Sequence, residues 1–398
     1  MQETTSIDFL WDALLKSAHS VMKDYQDKCF KRRRSLDCFT VVLLIFRLVF
    51  SKNKMGTNTA ILDFWNKARE CIPRLKSVNP VAGSTFCDAR SKLDEDIFSD
   101  LNRIFIAEFE KQNEEKYLWH GHRLFCIDGS KLNLPRQLHN EGYKFPNSQS
   151  HYPYGLLSCL YQLKSKLPYD FELTSELNER KCAHKHLKKL KSDDLVVYDR
   201  GYSGYAILEE HERKGIHTVF RLQGNSFYAI RDFISSSEQD KIIEIRPVKR
   251  SIKDIRKAHP EIEIRTIRLR LLKYMIDGNQ YCLGTTLLDR QKYPATIFPD
   301  LYHSRWGIEE LYKIKKETLN LESFYGKTER KVKQEIFASF LLLTVSRIFS
   351  NEAEAQINIA LSEESANNPE AEEKEAFHIN AKVSKKNFHS RLISNHAC

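Results

Sequence analysis

The fold class of this chain is decided by residues 194–223, DLVVYDRGYSGYAILEEHERKGIHTVFRLQ. Two short apolar runs, 194–201 and 216–223, enclose a stretch whose apolar residues have helical spacing. Short runs of apolar and β-branched residues that end at turn residues are typical of buried strands. A strand, a helix and a second strand in this order predict part of an α/β domain.

Three further runs of strand type precede this unit, at 122–130, 154–163 and 169–177. Three strands followed by an alternation of helix and strand predict a mixed sheet, so the fold class is α/β. Residues 225–285 interrupt the alternation with runs such as EIEIRTIRLRLLKYMI, which indicate a β-rich insertion inside the α/β domain. Helical spacing returns at about 298–319 and 329–350.

The first 118 residues have helical periodicity throughout, which predicts an all-α N-terminal region. Within it, the basic run Lys31–Arg34 is either a solvated face or a contact for phosphates. Residues 77–111 predict a short helix, a turn and a longer helix, which is either a loose helix-turn-helix or a plain helical core. The expected division is 1–118, 119–224, the insertion 225–285, 286–350, and an acidic tail or linker at 351–398.

Composition limits the class of protein. Lys and Arg number 63 against 53 Asp and Glu, a net charge of +10 that either points to a polyanionic partner such as nucleic acid or has no special meaning. With 41% hydrophobic and 11% aromatic residues, the chain is not disordered as a whole. The two most apolar stretches, Cys38–Phe50 and Ile336–Phe349, each contain an arginine and are short for a membrane span, so we expect no membrane. Nine cysteines without a CxxC pair indicate a reduced, cytoplasmic protein.

Two aspartates end apolar strands. Asp128 follows FCI and precedes Gly-Ser, and Asp199 follows LVVY and precedes Arg-Gly. Either aspartate alone is explained by turn capping. If the two strands are neighbours, however, two hard oxygen ligands stand together at the edge of the sheet, where a divalent cation can be bound.

A third carboxylate lies in the helical stretch after the insertion. At about 100° per residue, Tyr302, Arg305, Glu309 and Lys316 lie within about 60° of one another on one helix face. Such a face can supply one metal ligand flanked by groups that hold phosphates, although a surface helix also tolerates it. Glu310 is the competing carboxylate but lies off this face.

The spacing Tyr302-x2-Arg305-x3-Glu309-x6-Lys316 resembles the YREK signature of bacterial insertion-sequence transposases of the DDE class. The flanking sequences are similar as well: IDGS around Asp128, YDRGY around Asp199 and RWGIE ahead of Glu309. The resemblance extends over roughly residues 75–350. It implies an RNase H-like catalytic domain that carries the insertion between the second aspartate and the glutamate, and it makes 1–118 a candidate DNA-binding region.

The resemblance implies that the catalytic residues also hold metal. Phosphodiester cleavage and strand transfer are served by two Mg²⁺ or Mn²⁺ ions. The expected ligands are Asp128, which bridges both ions, and Asp199 and Glu309, one for each ion. We expect Arg305 and Lys316 to hold DNA phosphates instead of pairing with carboxylates, and Tyr302 to bind beside the cleavage site. Trp306 either packs on an unstacked base or belongs to the core.

These expectations describe a DNA transposase that cuts the ends of its element and joins them to target DNA. The partners would be double-stranded DNA, namely terminal inverted repeats and target, and a second copy of the chain in a homodimer. Val332–Phe349 is a candidate dimer surface or else packs under the sheet. The protein would act in the bacterial cytoplasm, associated with the nucleoid. The alternatives are a metal-dependent nuclease on the same fold, and a transposase-derived DNA-binding or inhibitor protein.

Overall fold

The computed structural model describes residues 6–31, 36–50, 56–113, 115–222, 228–247, 249–258, 260, 262–276, 278–318 and 322–367. The chain divides into two compact units. The helical unit comprises residues 1–113, 134–153 and 315–398, and the sheet unit comprises 114–133 and 154–314. The expected boundaries at 118 and 350 therefore differ from the observed ones, because 134–153 and the last long helix belong to the helical unit. The basic run at 31–34 lies outside the described residues except for Lys31.

The elements in the described residues have the following bounds in chain order. The helices are α1 (Ser6–Cys29), α2 (Cys38–Phe50), α3 (Thr57–Cys71), α4 (Gly83–Lys92), α5 (Asp96–Gln112), α6 (Glu179–His186), α7 (Tyr205–Lys214), α8 (Tyr228–Ser235), α9 (Lys249–Ala258), α10 (Phe298–His303), α11 (Trp306–Thr318) and α12 (Glu329–Asn367). The strands are β1 (Leu118–Trp119), β2 (His122–Asn133), β3 (Tyr154–Gln162), β4 (Leu167–Thr174), β5 (Leu195–Tyr198), β6 (His217–Arg221), β7 (Asp240–Ile245), β8 (Ile267–Ile276) and β9 (Asn279–Thr285).

The sheet unit is built on one mixed sheet with the strand order β4-β3-β2-β5-β6-β9-β8-β7. β2 runs antiparallel to β3 and β3 to β4, whereas β2, β5 and β6 are parallel. Numbered from β2, the first five strands have the order 3-2-1-4-5, which is the order of an RNase H-like core. The mixed α/β class predicted from the alternation of strands and helices is confirmed.

The strands of the 225–285 region continue this sheet. β9 pairs antiparallel with β6, and β8 and β7 follow it outward. Their apolar residues join the core under the first five strands, with Phe125 of β2 and Leu269 of β8 in the same buried cluster. The connection that leads into β8 is fastened by Tyr205 at the start of α7, whose hydroxyl donates to the Arg265 carbonyl at 2.7 Å. The β-rich region thus shares the core of the sheet unit.

In the helical unit, α12 is one continuous helix that packs against α1, α2, α4 and α5. Arg90 of α4 is buried and donates to Glu335 and Gln334 of α12 at 2.7 Å each. The stretch Val332–Phe349 therefore forms the core of the helical unit, and its use as a dimer surface, or as a support under the sheet, is wrong. The second helix of the 77–111 pair, α5, likewise packs on α1 and α12, which favours the helical core over a helix-turn-helix.

Among the described helices, the stretch Glu329–Ile359 of α12 is long and apolar enough to cross a membrane by length and composition, with a mean hydropathy of 1.2. The expectation from the sequence considered only Ile336–Phe349, and the observed helix is longer. About half of its apolar window, 56%, is buried in the structure, and a core helix of a folded domain passes the same test.

Candidate active site at the ends of β2 and β5

Asp128 and Asp199 stand at one level at the carboxyl ends of neighbouring parallel strands. Cys126 pairs with Val197 in the β2–β5 ladder, so the same register carried two residues further sets Asp128 beside Asp199. Asp199 keeps an extended backbone, with φ −73° and ψ 168°, so its side chain leaves on the same face as that of Val197. The two backbones are then one strand spacing apart, about 4.8 Å. The fold thus brings together the two aspartates singled out from the sequence.

Burial governs the ionisation of Asp128. It raises the pKa of the Asp128 carboxyl from 3.8 to about 6. The Gly129 N–H, which donates to this carboxylate, and the nearby guanidinium of Arg305 lower the pKa, while the carboxylates of Glu179 and Glu309 raise it. A partly enclosed carboxylate surrounded by other carboxylates is an arrangement that a cation stabilises.

This burial predicts a pH-dependent gain in stability for Asp128→Asn in the presence of EDTA. The folded-state pKa of Asp128 lies above its unfolded-state value, so its ionisation reduces the free energy of unfolding as the pH rises from about 4 to about 6. Asparagine does not ionise, and we expect its melting temperature to exceed that of the wild type by about 2–5 °C at pH 7.5 and by much less at about pH 4. Thermal unfolding at both pH values measures this. A shift of the same size at both would show that asparagine acts through packing instead of charge.

The helix predicted over about 298–319 is interrupted. α10 ends at His303 and α11 begins at Trp306, and between them the Arg305 N–H donates to the Tyr302 carbonyl across a three-residue turn. A turn of this kind winds more tightly than an α-helix, so the single helical stripe inferred from the spacing is wrong as geometry. Contact survives nonetheless, because the guanidinium of Arg305 lies 5.8 Å from the centre of the Tyr302 ring.

Tyr302 is held by Asp199. Its hydroxyl donates to Asp199 Oδ1 at 3.2 Å, and its ring is buried. Burial first, and then the negative charge of Asp199, raise the pKa of the Tyr302 hydroxyl. The phenol therefore stays protonated and acts as a donor, and α10 is tied to the end of β5.

Arg305 is paired with Glu309. Its Nη2 donates to Glu309 Oε1 at 2.7 Å, with the arginine side chain 9% exposed and the glutamate side chain 40% exposed. Burial acts to lower the pKa of Arg305, but the neighbouring Tyr302, Glu309 and Asp199 outweigh it and the pKa is raised. The expectation that Arg305 avoids an ion pair is therefore wrong for this state of the protein. Its Nε is buried and has no hydrogen-bond partner in the described part of the chain.

Tyr312 fastens α11 to the sheet. Its buried hydroxyl lies 2.8 Å from the carbonyl oxygen of Asp128 and 3.3 Å from that of Leu157. Tyr312 follows Glu309 by three residues, so it lies on the same side of the helix. This contact sets the helix that carries Glu309 against the strand that carries Asp128.

Replacement of Tyr312 by phenylalanine is expected to lower the free energy of unfolding by about 1–3 kcal/mol, because two buried carbonyl groups lose a donor. Urea unfolding measures the loss. Tyr152→Phe is the matched control, since Tyr152 is 55% exposed and its hydroxyl can be replaced by water contacts. Equal stabilities for the two variants would mean that the Tyr312 hydroxyl does not fasten the helix.

The remaining predicted residues have different settings. The Trp306 side chain is 55% exposed, with its ring 6.4 Å from that of His303, so the core alternative for Trp306 is wrong. Glu310 is exposed on α11. Lys316 lies in α11, but its side chain falls outside the described residues.

Reasoning from the sequence missed Glu179. This carboxylate is at the start of α6, and it raises the pKa of Asp128 while Asp199 in turn raises the pKa of Glu179, after the larger effect of burial. The available signal was Asn178, a helix N-cap residue that follows the fourth strand-like run and places the next residue at the end of the sheet. That signal indicates a helix start but not which strand ends lie beside it.

Comparison with known proteins agrees with this geometry. Residues 119–345 match the family model described as the transposase DDE domain. The chain belongs to this family. Among curated DDE-type relatives, the transposase InsG of insertion sequence element IS4 from Escherichia coli K12 is 24% identical over 281 residues, which covers 67% of this chain and 61% of the relative. The chain thus spans less than two thirds of that relative.

Two further similarities are more limited. A Sinorhizobium fredii protein named as transposase y4zB is 34% identical over 172 residues, covering 40% of this chain and 43% of the relative. A solved structure of a piggyBac transposase synaptic complex with hairpin DNA aligns with a TM-score of 0.46 and 10% identity, over 97% of this chain and 78% of that one.

The donor set fits the divalent metal ions that DDE transposases use. Asp128, Asp199 and Glu309 offer the hard carboxylate oxygens preferred by Mg²⁺ and Mn²⁺. In the described part of the chain, however, no three His, Cys, Asp or Glu side chains lie close enough together to enclose an ion. Arg305 binds Glu309 and Tyr302 binds Asp199, so these two carboxylates have protein partners in this state.

Proposed function

We propose that this protein is a DNA transposase that cleaves the ends of its insertion element and joins them to target DNA at Asp128, Asp199 and Glu309. The observation that carries the proposal is the register of β2 and β5, which sets two aspartates at one level, with Glu309 on a helix tied to the same strand by Tyr312. The match to the transposase DDE domain supports the reaction class.

The chemistry follows from the position of each side chain. Two divalent ions, Mg²⁺ or Mn²⁺, would make the attacking oxygen more nucleophilic and stabilise the leaving 3′-oxygen. Asp128 lies between the other two carboxylates and suits the bridging position, with Asp199 and Glu309 each serving one ion. Cleavage breaks a phosphodiester bond with water, and the 3′-hydroxyl so freed then displaces a 3′-oxygen in the target strand. The Tyr302 hydroxyl, released from Asp199, would donate to a phosphate oxygen.

Arg305 would change partner during this sequence. In the protein alone it neutralises Glu309, which keeps three carboxylates from facing one another without a cation. When Glu309 serves as a ligand, the guanidinium is free to form paired hydrogen bonds with a phosphate, and such charge-assisted contacts are among the strongest. Lys316, further along α11, is proposed to hold a neighbouring phosphate, and the exposed Trp306 to pack on a base.

The partners we propose are the terminal inverted repeats of the element, target DNA and a second copy of the chain. The net charge of +10 suits phosphate backbones. Two ends joined to one target require two active sites, which favours a homodimer on DNA. Its surface is to be sought in 351–398, where Ile359 is exposed, because Val332–Phe349 is buried. The place of action would be the bacterial cytoplasm, at the nucleoid.

The decisive test uses the DNA that flanks the gene. A plasmid carrying the two flanking inverted repeats is incubated with the protein, Mg²⁺ and a second plasmid as target. We expect double-strand breaks at the repeat ends and products in which those ends are joined to the target. Cleavage without joining would indicate a nuclease on the same fold, and binding without cleavage a transposase-derived DNA-binding protein. A plasmid with scrambled repeats is the control.

A further inference from the structure

The start of α6 stands at the same edge of the sheet as the two aspartates. β3 is antiparallel to β2 and β4 is antiparallel to β3, so β4 runs in the direction of β2 and ends at the edge where Asp128 lies. The chain leaves β4 after Thr174, and Asn178 caps the next helix by accepting a hydrogen bond from the Lys181 N–H at 3.2 Å. Glu179 is the first residue of that helix.

The first turn of α6 touches the segments that follow both aspartates. A Cβ placed on Gly129 would come within 3.0 Å of Glu179 Cγ and 3.3 Å of its Cδ, so glycine at this position admits the glutamate beside Asp128. The next residue of the helix, Arg180, donates from Nε to the Gly201 carbonyl at 2.8 Å, two residues after Asp199. The Glu179 carboxyl group is therefore held between the two strand ends.

Glu179 lacks a cationic partner in this position. Within the described residues, no Lys, Arg or His side chain lies within the 4.0 Å of an ion pair with its carboxylate. Beside it, the Tyr202 hydroxyl faces both Glu179 and Asp128, is 1% exposed as a residue and has no hydrogen-bond partner among the described atoms. Tyr202 and Glu179 meet without the alignment of a hydrogen bond.

We propose that Glu179 is a fourth carboxylate of the site, which holds a divalent cation together with Asp128 and Asp199. The inference rests on the proposed function, since it assigns a further ligand to the same site. A carboxylate that served only to start the helix would be better placed away from two others, because like charges at this distance repel. A cation removes that repulsion, and the buried Tyr202 hydroxyl would then donate to a carboxylate oxygen that the ion has drawn into place.

The test measures Mn²⁺ binding to the full chain without DNA, by isothermal titration calorimetry. We expect Glu179→Gln to weaken the Kd for Mn²⁺ by about tenfold or more, the loss typical of removing a group that supports a metal site. Asp128→Asn serves as the positive control. Glu176→Gln is the matched negative control, because Glu176 lies three residues earlier and pairs with the exposed Lys181. Melting temperatures in EDTA are recorded for all four proteins.

The outcomes separate this inference from the proposed function. If Asp128→Asn weakens Mn²⁺ binding and Glu179→Gln leaves it unchanged, Glu179 is not a ligand and the three-carboxylate site stands. A higher melting temperature of Glu179→Gln in EDTA with an unchanged Kd would identify a merely repelling neighbour. If the wild type binds no Mn²⁺, or Asp128→Asn binds as the wild type does, both the inference and the proposed site fail. Should Glu179→Gln unfold, Glu179→Asp, which keeps the charge but shortens the reach, is expected to show the same weakening.

Discussion

Asp199→Ala is expected to reduce metal-dependent cleavage of the element ends by about 10³-fold or more, beyond the loss that follows removal of one hydrogen-bond donor from an active site. Asp199 offers a carboxylate at the open end of β5, and no other described side chain on that strand end can take its place as a ligand. Binding to the same DNA should remain within about twofold, because affinity for DNA comes mainly from contacts between basic groups and phosphates.

The choice of variants separates chemistry from folding. Asp199→Ala also leaves the buried Tyr302 hydroxyl without its acceptor, whereas Asp199→Asn keeps an oxygen there. Both should lose cleavage, and only the alanine variant should lose melting temperature. Asp193→Asn is the control, since Asp193 precedes the other end of β5, is exposed, and has a φ of +67° that asparagine tolerates. Cleavage by Asp199→Asn at the rate of Asp193→Asn would remove Asp199 from the site.

The sheet and its aspartates were predictable because the signals are local. An apolar run that ends in Asp-Gly or Asp-Arg-Gly indicates both a buried strand and a polar group at its end, whatever the rest of the chain does. Placing Asp128 beside Asp199 required only that β2 and β5 be neighbours, and a strand order with sequential strands close in space makes this the common result. The register then followed from the fold.

The helix that carries Glu309 was predicted less well. Its interruption at Arg305 accompanies the hydrogen bond from Tyr302 to Asp199, two residues that are 103 positions apart. Helical periodicity contains no record of such a contact, and it extends the pattern straight through the turn. Trp306 was open between core and surface for the same reason, because the turn directs its side chain outward.

Long-range packing also decided what lies beside Asp128 and what covers α12. Glu179 reaches Asp128 because Gly129 leaves room, and this fit depends on two segments 50 residues apart in the chain. The apolar helix α12 resembles a support for the sheet or a dimer surface in its composition, yet Arg90 and the N-terminal helices cover it. An apolar face predicts burial, and the sequence does not say against which partner.

Arg305→Ala is expected to weaken binding to cleaved-end DNA by about 10- to 100-fold, which corresponds to the loss of charge-assisted hydrogen bonds worth about 1.5–3 kcal/mol. The slope of log K against log salt should fall by about 0.9, the change expected when the protein neutralises one DNA phosphate fewer. Folding should change little, because Glu309 is 40% exposed and is hydrated without its partner. A pair of this i,i+4 kind contributes only about 0.3–0.5 kcal/mol. Fluorescence anisotropy over a series of salt concentrations measures both quantities.

Two comparisons decide whether the guanidinium acts on DNA or on the protein. Arg305→Lys keeps the charge but loses the planar pair of donors, so it should restore the salt slope and only part of the affinity. Lys241→Ala is the control, because Lys241 is an exposed cation of the sheet unit that is likewise paired with a nearby glutamate, Glu238. If Arg305→Ala binds ends as tightly as Lys241→Ala does and loses several degrees of melting temperature, then the Arg305–Glu309 pair is structural. Because Arg305 would then never release Glu309, Glu309 could not serve as the third ligand, and the metal site would have to be completed by Glu179 instead.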